Sequence, residues 1–202
     1  MAEVDVVIVG AGPVGLYLAI DLAQRGVSVQ LIDRARSPVR HSRASVVWPR
    51  QLELLHAIGV ADGLMDQGRA IEGVAFHSNR HELGELRFST IQDAPYAFGL
   101  AVSQEVTERA LISRFETLLG PLHRDGELVG LVQNHDGVDL TIRSDTGEQA
   151  VRAKWVVGAD GAHSTVRDLV KVAFVGPPGH ARFGIGDAGI EGTLSTRMLH
   201  YF

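Results

Sequence analysis

The chain has 202 residues, of which 45% are hydrophobic and 21% are charged, a composition typical of folded globular proteins and not of disordered ones. Its 24 acidic and 19 basic side chains give a net charge of −5, which offers no support for a nucleic-acid partner. The absence of cysteine excludes disulfides, thiolate metal sites and cysteine nucleophiles, and it suits a cytoplasmic protein. The apolar stretch 6–23 contains three glycines, a proline and Asp21 and lacks a basic start, so we expect neither a signal peptide nor a membrane span.

The first 33 residues predict a β-α-β unit. A β-branched run over 4–9 is typical of a buried parallel strand, and a helix is expected to begin at Pro13 and to end before Gly26. A second strand is predicted over 27–32, ending at Asp33. Because parallel strands need a crossover between them, this unit indicates an α/β fold.

The later patterns predict a mixture of helices and antiparallel strands. The expected elements are a helix over 50–57, a hairpin over 71–89, a helix from the cap Ser103 to residue 119, a three-stranded meander over 127–132, 137–143 and 149–152, and a separate buried strand over 154–157. The hairpin and the segment after residue 182 are expected to pair in an antiparallel sheet of their own.

The turn after the first strand has the spacing of a dinucleotide-binding motif, Gly10-Ala11-Gly12-Pro13-Val14-Gly15. The first glycine permits a tight turn, the second lets a pyrophosphate approach the backbone, and the third, with Ala19, lets the helix lie close to the strand. The N-terminus of the helix offers N–H groups and a positive dipole end to phosphates. A glycine-rich turn of another α/β protein is the alternative, but the flanking strand and helix and the acid at position 33 favour dinucleotide binding.

Asp33 lies where a carboxylate accepts hydrogen bonds from a ribose 2′-OH. Because that carboxylate repels a 2′-phosphate, NADP is not expected in this pocket, whereas FAD and NAD both stay possible. Pro13 within the motif slightly favours a flavin.

The strand over 154–157 leads into Gly158-Ala159-Asp160-Gly161, followed by Ser164 and Arg167. This segment resembles the DG motif of the FAD-dependent monooxygenases of the aromatic-hydroxylase type, the group that contains p-hydroxybenzoate hydroxylase and phenol hydroxylase. In that family the segment lies near the flavin pyrophosphate and is linked to nicotinamide nucleotide binding. Segments 43–55 and 102–108 are also similar to segments of the family. Together with the glycine turn 10–15 and the segment 158–167, they make four segments that follow one another in the order found in the family.

The resemblance implies a cofactor contact for several side chains. Arg43 corresponds to an arginine that reaches FAD, and Gln104 corresponds to a glutamine that contacts the ribityl chain. Asp160, Arg43 and Gln104 each have a plainer alternative, as a turn residue, a solvated loop charge and a first-turn polar residue, but the order of the segments favours the cofactor. Arg34 lies over the adenine or points to water, and Val129 in the first meander strand completes the set of candidate cofactor-binding residues.

The resemblance also implies the architecture and the reaction. It implies a Rossmann-like FAD-binding domain over 1–175, with a parallel sheet and a β-meander, interrupted by a hairpin at about 71–95 that joins the substrate sheet, and the start of a substrate-binding domain at 176–202. NAD(P)H would reduce FAD, and a flavin C4a-hydroperoxide would hydroxylate a small aromatic or polyketide-like molecule. A catalytically inactive FAD-binding module and an NAD-dependent dehydrogenase are the alternatives, and the long polar loop after Asp33 counts against the latter.

A second family motif has a tempting match at Gly186-Asp187-Ala188. This match comes only 25 residues after Gly161, an interval in which the family places most of its substrate domain, so the segment 183–192 is instead predicted to be the opening strand of that domain. We therefore expect the chain to be the N-terminal part of a longer monooxygenase. No residue is assigned a catalytic role, and the nine histidines do not have the spacing of metal ligands.

Overall fold

The computed structural model describes residues 2–37, 46–79, 81–91, 93–176, 189 and 191–202. The helices are α1 (Pro13–Gln24), α2 (Pro49–Ala57), α3 (Ala61–Met65), α4 (Gln104–Leu119) and α5 (Thr165–Leu169). The strands are β1 (Ala2–Val9), β2 (Val29–Ile32), β3 (Val46–Val47), β4 (Arg69–Ile71), β5 (Gly73–Ser78), β6 (His81–Arg87), β7 (Gly99–Ala101), β8 (Glu127–Asn134), β9 (Gly137–Ser144), β10 (Gly147–Gly158) and β11 (Met198–Tyr201).

The largest sheet has the strand order β2-β1-β10-β9-β8. Strand β1 pairs in parallel with both β2 and β10, whereas β10, β9 and β8 pair antiparallel, which confirms the predicted α/β fold with a meander. The register aligns Val9 with Ile32 on one side and with Gly158 on the other. The carboxyl ends of these three parallel strands therefore meet at one edge of the sheet, where open α/β folds bind their ligands.

Alternate residues of β1 contribute to two hydrophobic cores, because successive side chains of a strand point to opposite faces. Ile8 packs with Leu16 and Ile20 of α1 and with Leu111 of α4 in one core. On the other face, Val7 and Val9 pack with Ile32 and with buried residues of the meander, namely Leu128, Leu140, Ile142, Val151 and Ala153. Helices α1 and α4 thus cover one face of the sheet, and on its other face residues of β1 and β2 share a core with residues of the meander strands of the same sheet.

The third meander strand and the following strand are one continuous element, which corrects the prediction of two separate strands. Ala153 is buried in the middle of β10 and pairs on both sides, with β1 and with β9, so nothing interrupts the strand there. The expectation of a buried strand over 154–157 is also wrong for Trp155, which is 70% exposed. The pairing with β9 ends at Ala153, and beyond that residue β10 retains its pairing with β1 alone among the described strands.

A second sheet has the order β11-β5-β6 and includes the predicted hairpin, which is antiparallel as expected. The expected antiparallel pairing of the C-terminal segment is wrong, because β11 pairs in parallel with β5. The reason lies at the start of the pair, where the Glu72 N–H donates to Arg197 O at 2.7 Å, so both strands begin at the same end. The predicted strand over 183–192 and the match at Gly186-Asp187-Ala188 lie outside the described residues, and the division into domains stays a prediction.

A third sheet has the order β3-β7-β4, with antiparallel pairing throughout. The backbone of β7 leads through Val102 to Ser103, whose hydroxyl oxygen accepts a hydrogen bond from the Val106 N–H at 3.3 Å. Ser103 is therefore the N-cap of α4, as predicted. Among the helices that the structure describes, none is long and apolar enough to cross a membrane.

Asp5, in the middle of β1, links this strand to Lys154 of β10 and to Ser28, the residue that precedes β2. Its carboxylate accepts hydrogen bonds from Lys154 Nζ at 2.6 Å, from Ser28 Oγ at 2.6 Å and from Ser28 N at 3.0 Å. These hydrogen bonds, with the one from Lys154 the strongest, hold the pKa of the Asp5 carboxyl well below its ordinary value of 3.8. The carboxylate form is therefore the form that stabilises the fold.

Replacing this carboxylate should make stability less dependent on pH in acid. A carboxyl whose pKa is lowered by folding stabilises the protein above its unfolded-state pKa, and this contribution is lost as the pH falls toward the folded-state value. Asp5→Asn should therefore lower the Tm at pH 7, and the difference from the unaltered chain should narrow at about pH 3. Asp136→Asn, in an exposed turn, is the control and should leave the Tm unchanged. A Tm difference for Asp5→Asn that is the same at both pH values would contradict this assignment.

Candidate functional site

The glycine turn lies directly against the segment that follows β10. Gly10 has a φ of +107°, and a Cβ built on it would lie 2.5 Å from the carbonyl oxygen of Ala159. The Ala159 N–H donates to Val9 O at 2.7 Å, which holds the two backbones together. Glycine is required at position 10 for both reasons, the left-handed backbone conformation and the close approach.

Gly15 and Gly12 have different surroundings. A Cβ on Gly15 would lie 1.8 Å from the carbonyl oxygen of Gly10, so only glycine lets α1 lie this close to the turn. A Cβ on Gly12 would meet no described atom within 4 Å. Glycine at position 12 is therefore not required by packing within the described structure, and the space beside it is available to a ligand.

Helix α1 begins at this open space. Gly12 is its N-cap in an extended conformation, Pro13 is the first helical residue, and the Leu16 N–H donates to Gly12 O at 2.9 Å. A glycine cap has no side chain to satisfy the N–H groups of the first turn, and this turn contains no acidic residue. The end of α1 is therefore suited to an anion such as a diphosphate.

Asp33 lies beside the turn, immediately after β2. Its Oδ2 accepts a hydrogen bond from the Ala11 N–H at 2.7 Å, and its Oδ1 accepts one from the Ala35 N–H at 2.7 Å. Arg124 Nη1 lies 3.6 Å from Oδ2. Each carboxylate oxygen can accept more than one hydrogen bond, so the side chain can still accept from a ribose hydroxyl. The predicted ribose contact stays a prediction.

Arg124 is the residue of this site that the sequence analysis missed. It lies in the connection between α4 and β8, its side chain is only 11% exposed, and its Nη2 donates to Ala11 O at 3.3 Å. No motif marks this connection, so only the folded structure places Arg124 at the turn. The next two residues are also held there, because the N–H groups of Asp125 and Gly126 both donate to Asp33 O.

Arg34 and Val129 lie near the same edge. Arg34 is exposed and lines an open cleft of about 350 Å³ together with Asp125, Glu127 and Arg143. Val129 is half-buried at an irregularity of the β8–β9 ladder, where the register shifts between Leu128 and Gly130. A bulged residue is released from regular pairing, which leaves its backbone groups able to bind a ligand. Arg43 lies outside the described residues.

A second cavity, of about 450 Å³, lies next to the start of α1. It brings together Pro13, Val14 and Gln104, which the sequence analysis placed in one site. Its remaining lining residues are mostly apolar: Tyr17, Val46, Val47, Gln51, Leu54, Leu55, Val102, Thr107 and Leu111. Gln104 Nε2 donates to the carboxylate of the buried Glu108 at 2.7 Å, which fixes the amide at the cavity wall.

The Asp160 carboxylate is used within the protein. It accepts hydrogen bonds from Ser164 Oγ at 2.6 Å and from Val166 N at 3.2 Å, and Ser164 Oγ in turn accepts one from Arg167 N at 3.1 Å. Asp160 therefore holds Ser164, the N-cap of α5, a role that differs from the plainer alternative of a turn residue. The part of this segment that lies against the glycine turn is its backbone, and a direct contact of Asp160 with a cofactor stays a prediction.

The model of the FAD binding domain family matches residues 3–200 of this chain. Among curated relatives, 6-methylpretetramide 4-monooxygenase of Streptomyces rimosus is 39% identical over 85% of this chain and 31% of its own length. Rifampicin monooxygenase of Streptomyces venezuelae is 36% identical over 96% of this chain and 39% of its own length. Pentachlorophenol 4-monooxygenase of Sphingobium chlorophenolicum is 32% identical over the whole chain and 38% of its own length.

Solved structures of a monooxygenase and a hydroxylase are also similar to this chain. The structure of p-nitrophenol 4-monooxygenase from Pseudomonas putida has a TM-score of 0.81 and 26% identity, covering 88% of this chain and 46% of that one. Anhydrotetracycline hydroxylase OxyS from Streptomyces rimosus has a TM-score of 0.79 and 35% identity, covering 88% and 36%. The chain thus spans less than half the length of these relatives. Because the family model matches nearly all of the chain, the chain belongs to the FAD binding domain family.

Proposed function

We propose that the chain is the nucleotide-binding part of an NAD(P)H-dependent FAD monooxygenase that acts on a small aromatic or polyketide-like molecule. The observation that carries the proposal is the meeting of the turn 10–15, Asp33 and the segment 158–161 at one edge of the sheet. The relatives support the chemistry, since the names of several refer to monooxygenases of a phenol or of tetracycline compounds.

The residues of this edge have distinct tasks in the proposal. The backbone at Gly12 and the first turn of α1 bind the diphosphate, and Asp33 binds the ribose of the adenosine half. The cavity beside Val14 and Gln104 is large and apolar enough to receive part of the flavin half. FAD, when bound, supplies the redox chemistry, and the protein supplies binding, orientation and electrostatics.

Cofactor selectivity is the most direct test of the proposal. The 202-residue chain should bind FAD, with a perturbed flavin absorbance spectrum, and should bind NADP far more weakly at the same site. The Asp33 oxygens can accept a hydrogen bond from a ribose 2′-OH, whereas a 2′-phosphate has no proton to donate to them. Calorimetric titrations with FAD, NAD and NADP measure the dissociation constant of each nucleotide. Tighter binding of NAD than of FAD would favour the dehydrogenase alternative and contradict the proposal.

The reductant is tested separately. The FAD-loaded chain is mixed with NADH or NADPH without oxygen, and loss of flavin absorbance is followed. We expect reduction by at least one of the two, and on admission of air we expect hydrogen peroxide with little hydroxylated phenol, because oxygen transfer needs a site closed to water. Binding of FAD without reduction by either nucleotide would support the alternative of an inactive FAD-binding module.

Substitutions of single glycines separate cofactor binding from folding. Gly12→Val places a side chain in space that no described atom occupies, so the fold should survive while the affinity for FAD falls at least tenfold, about 1.4 kcal/mol. Gly12→Ser introduces a favourable N-cap residue and serves as a second variant whose folding is not in doubt. Gly15→Ala should instead destabilise the whole domain, because its Cβ would clash with Gly10 O.

Gly63→Ala is the matched control for these variants. Gly63 lies within α3, and a Cβ there would meet no described atom within 4 Å, so alanine should be tolerated and should raise helix propensity by about 1 kcal/mol. Its affinity for FAD should equal that of the unaltered chain. Full flavin content in Gly12→Val would show that the turn 10–15 does not hold the diphosphate.

A further inference from the structure

Arg124 occupies an unusual place for a charged side chain. It lies in a connection between α4 and β8, yet its side chain is only 11% exposed and lies against the glycine turn. Its contacts within the described residues are a hydrogen bond to Ala11 O at 3.3 Å and an ion pair with Asp33 at 3.6 Å. A charge is buried at a high cost unless it is paired, so this placement needs the Asp33 carboxylate.

Arg124 and Asp33 together hold both polar backbone groups of Ala11. The carboxylate accepts the Ala11 N–H at 2.7 Å, and the guanidinium donates to the Ala11 carbonyl oxygen. The two charged groups are also paired with each other through the same Oδ2 atom. Ala11 is the residue between the two glycines of the motif, so the ion pair fixes the backbone at the centre of the turn.

The hydrogen bond from Arg124 to the Ala11 carbonyl oxygen determines the direction of the Gly12 N–H. The Ala11–Gly12 peptide is trans, and in a trans peptide the C=O and the N–H point in opposite directions. Because Arg124 binds the carbonyl oxygen, the Gly12 N–H points away from Arg124. A rotated peptide would present a carbonyl oxygen in place of this N–H, and a carbonyl oxygen repels a phosphate.

Arg124 also changes the charge that an anionic ligand meets. Asp33 alone would place a negative charge next to the turn, where it would repel a diphosphate. The guanidinium beside it makes the pair neutral, while the carboxylate oxygens stay available to ribose hydroxyls. The turn can therefore accept a diphosphate although an acid stands beside it.

We propose that Arg124 is a positioning residue for the diphosphate and ribose of a bound adenosine diphosphate ester. It orients the Ala11–Gly12 peptide toward the phosphates and neutralises Asp33, without itself taking part in the chemistry. The proposal rests on FAD binding at the turn 10–15 and names a residue on which that binding depends.

The test compares two substitutions of Arg124 with a matched substitution elsewhere. Arg114 of α4 is also partly buried and also donates to a backbone carbonyl, that of Ile58 at 2.9 Å, but it lies outside the site. Dissociation constants for FAD and for ADP are measured by calorimetry on the unaltered chain, Arg124→Gln, Arg124→Lys and Arg114→Gln, each at a temperature well below its Tm. ADP contains only the adenine, ribose and diphosphate, so it reports on the adenosine half without the flavin.

We expect Arg124→Gln to weaken binding of both FAD and ADP at least tenfold, since charge-assisted hydrogen bonds are lost or misdirected. Arg124→Lys should recover part of the affinity, because lysine restores the charge but lacks the fork that reaches two acceptors. Arg114→Gln should lower the Tm and leave both dissociation constants within twofold. If Arg124→Gln is poorly folded, the lysine variant still provides the comparison.

Three results would overturn the inference. The first is an affinity of Arg124→Gln within twofold of the unaltered chain, with the unaltered chain binding FAD. The second is an equal loss of affinity for FAD and ADP in Arg114→Gln, which would show that the loss in Arg124→Gln comes from a general loss of stability. The third is failure of the unaltered chain to bind FAD, which would also overturn the proposed function, whereas the first two leave that function intact.

Discussion

The architecture of the site depends on one close approach between two backbones. Val9 and Ala159 are joined by a hydrogen bond of 2.7 Å. Because Gly10 and Gly15 have no side chains, the turn can pack closely against both the segment after β10 and helix α1. A Cβ at either glycine would collide with a backbone oxygen. These contacts leave Gly12 open, so the same packing that brings Gly10 and Gly15 against their neighbours leaves space beside the start of α1.

An ion pair adds to the packing at the glycine turn. The partly buried pair of Asp33 and Arg124 fixes the backbone of Ala11, and the connection that carries Arg124 is itself held by the carbonyl oxygen of Asp33. Leu128 of β8 and Ile32 of β2 share the second core, and the connection before β8 is bonded to the residue that follows β2. The second core is thus what positions Arg124, and a residue more than 100 positions along the chain becomes part of the turn.

The sequence pattern was a good guide wherever one local constraint dominated. The glycine spacing, the β-branched run before it and the serine cap at position 103 each depend on a few neighbouring residues, and the structure confirms the elements that they predict. Prediction failed where pairing partners decided the outcome. Nothing local shows that Ala153 continues a strand, or that β11 begins beside Glu72 and so runs parallel to β5.

By itself the sequence determined the β-α-β unit, the glycine turn and the acid that follows it, because the period of apolar residues and the need for glycine are properties of short segments. Only the tertiary structure decided which side chains meet at the turn. It directed the Asp160 carboxylate to the cap of α5 and brought Arg124 to Ala11, since the burial of a charge is settled by partners that lie far away in sequence.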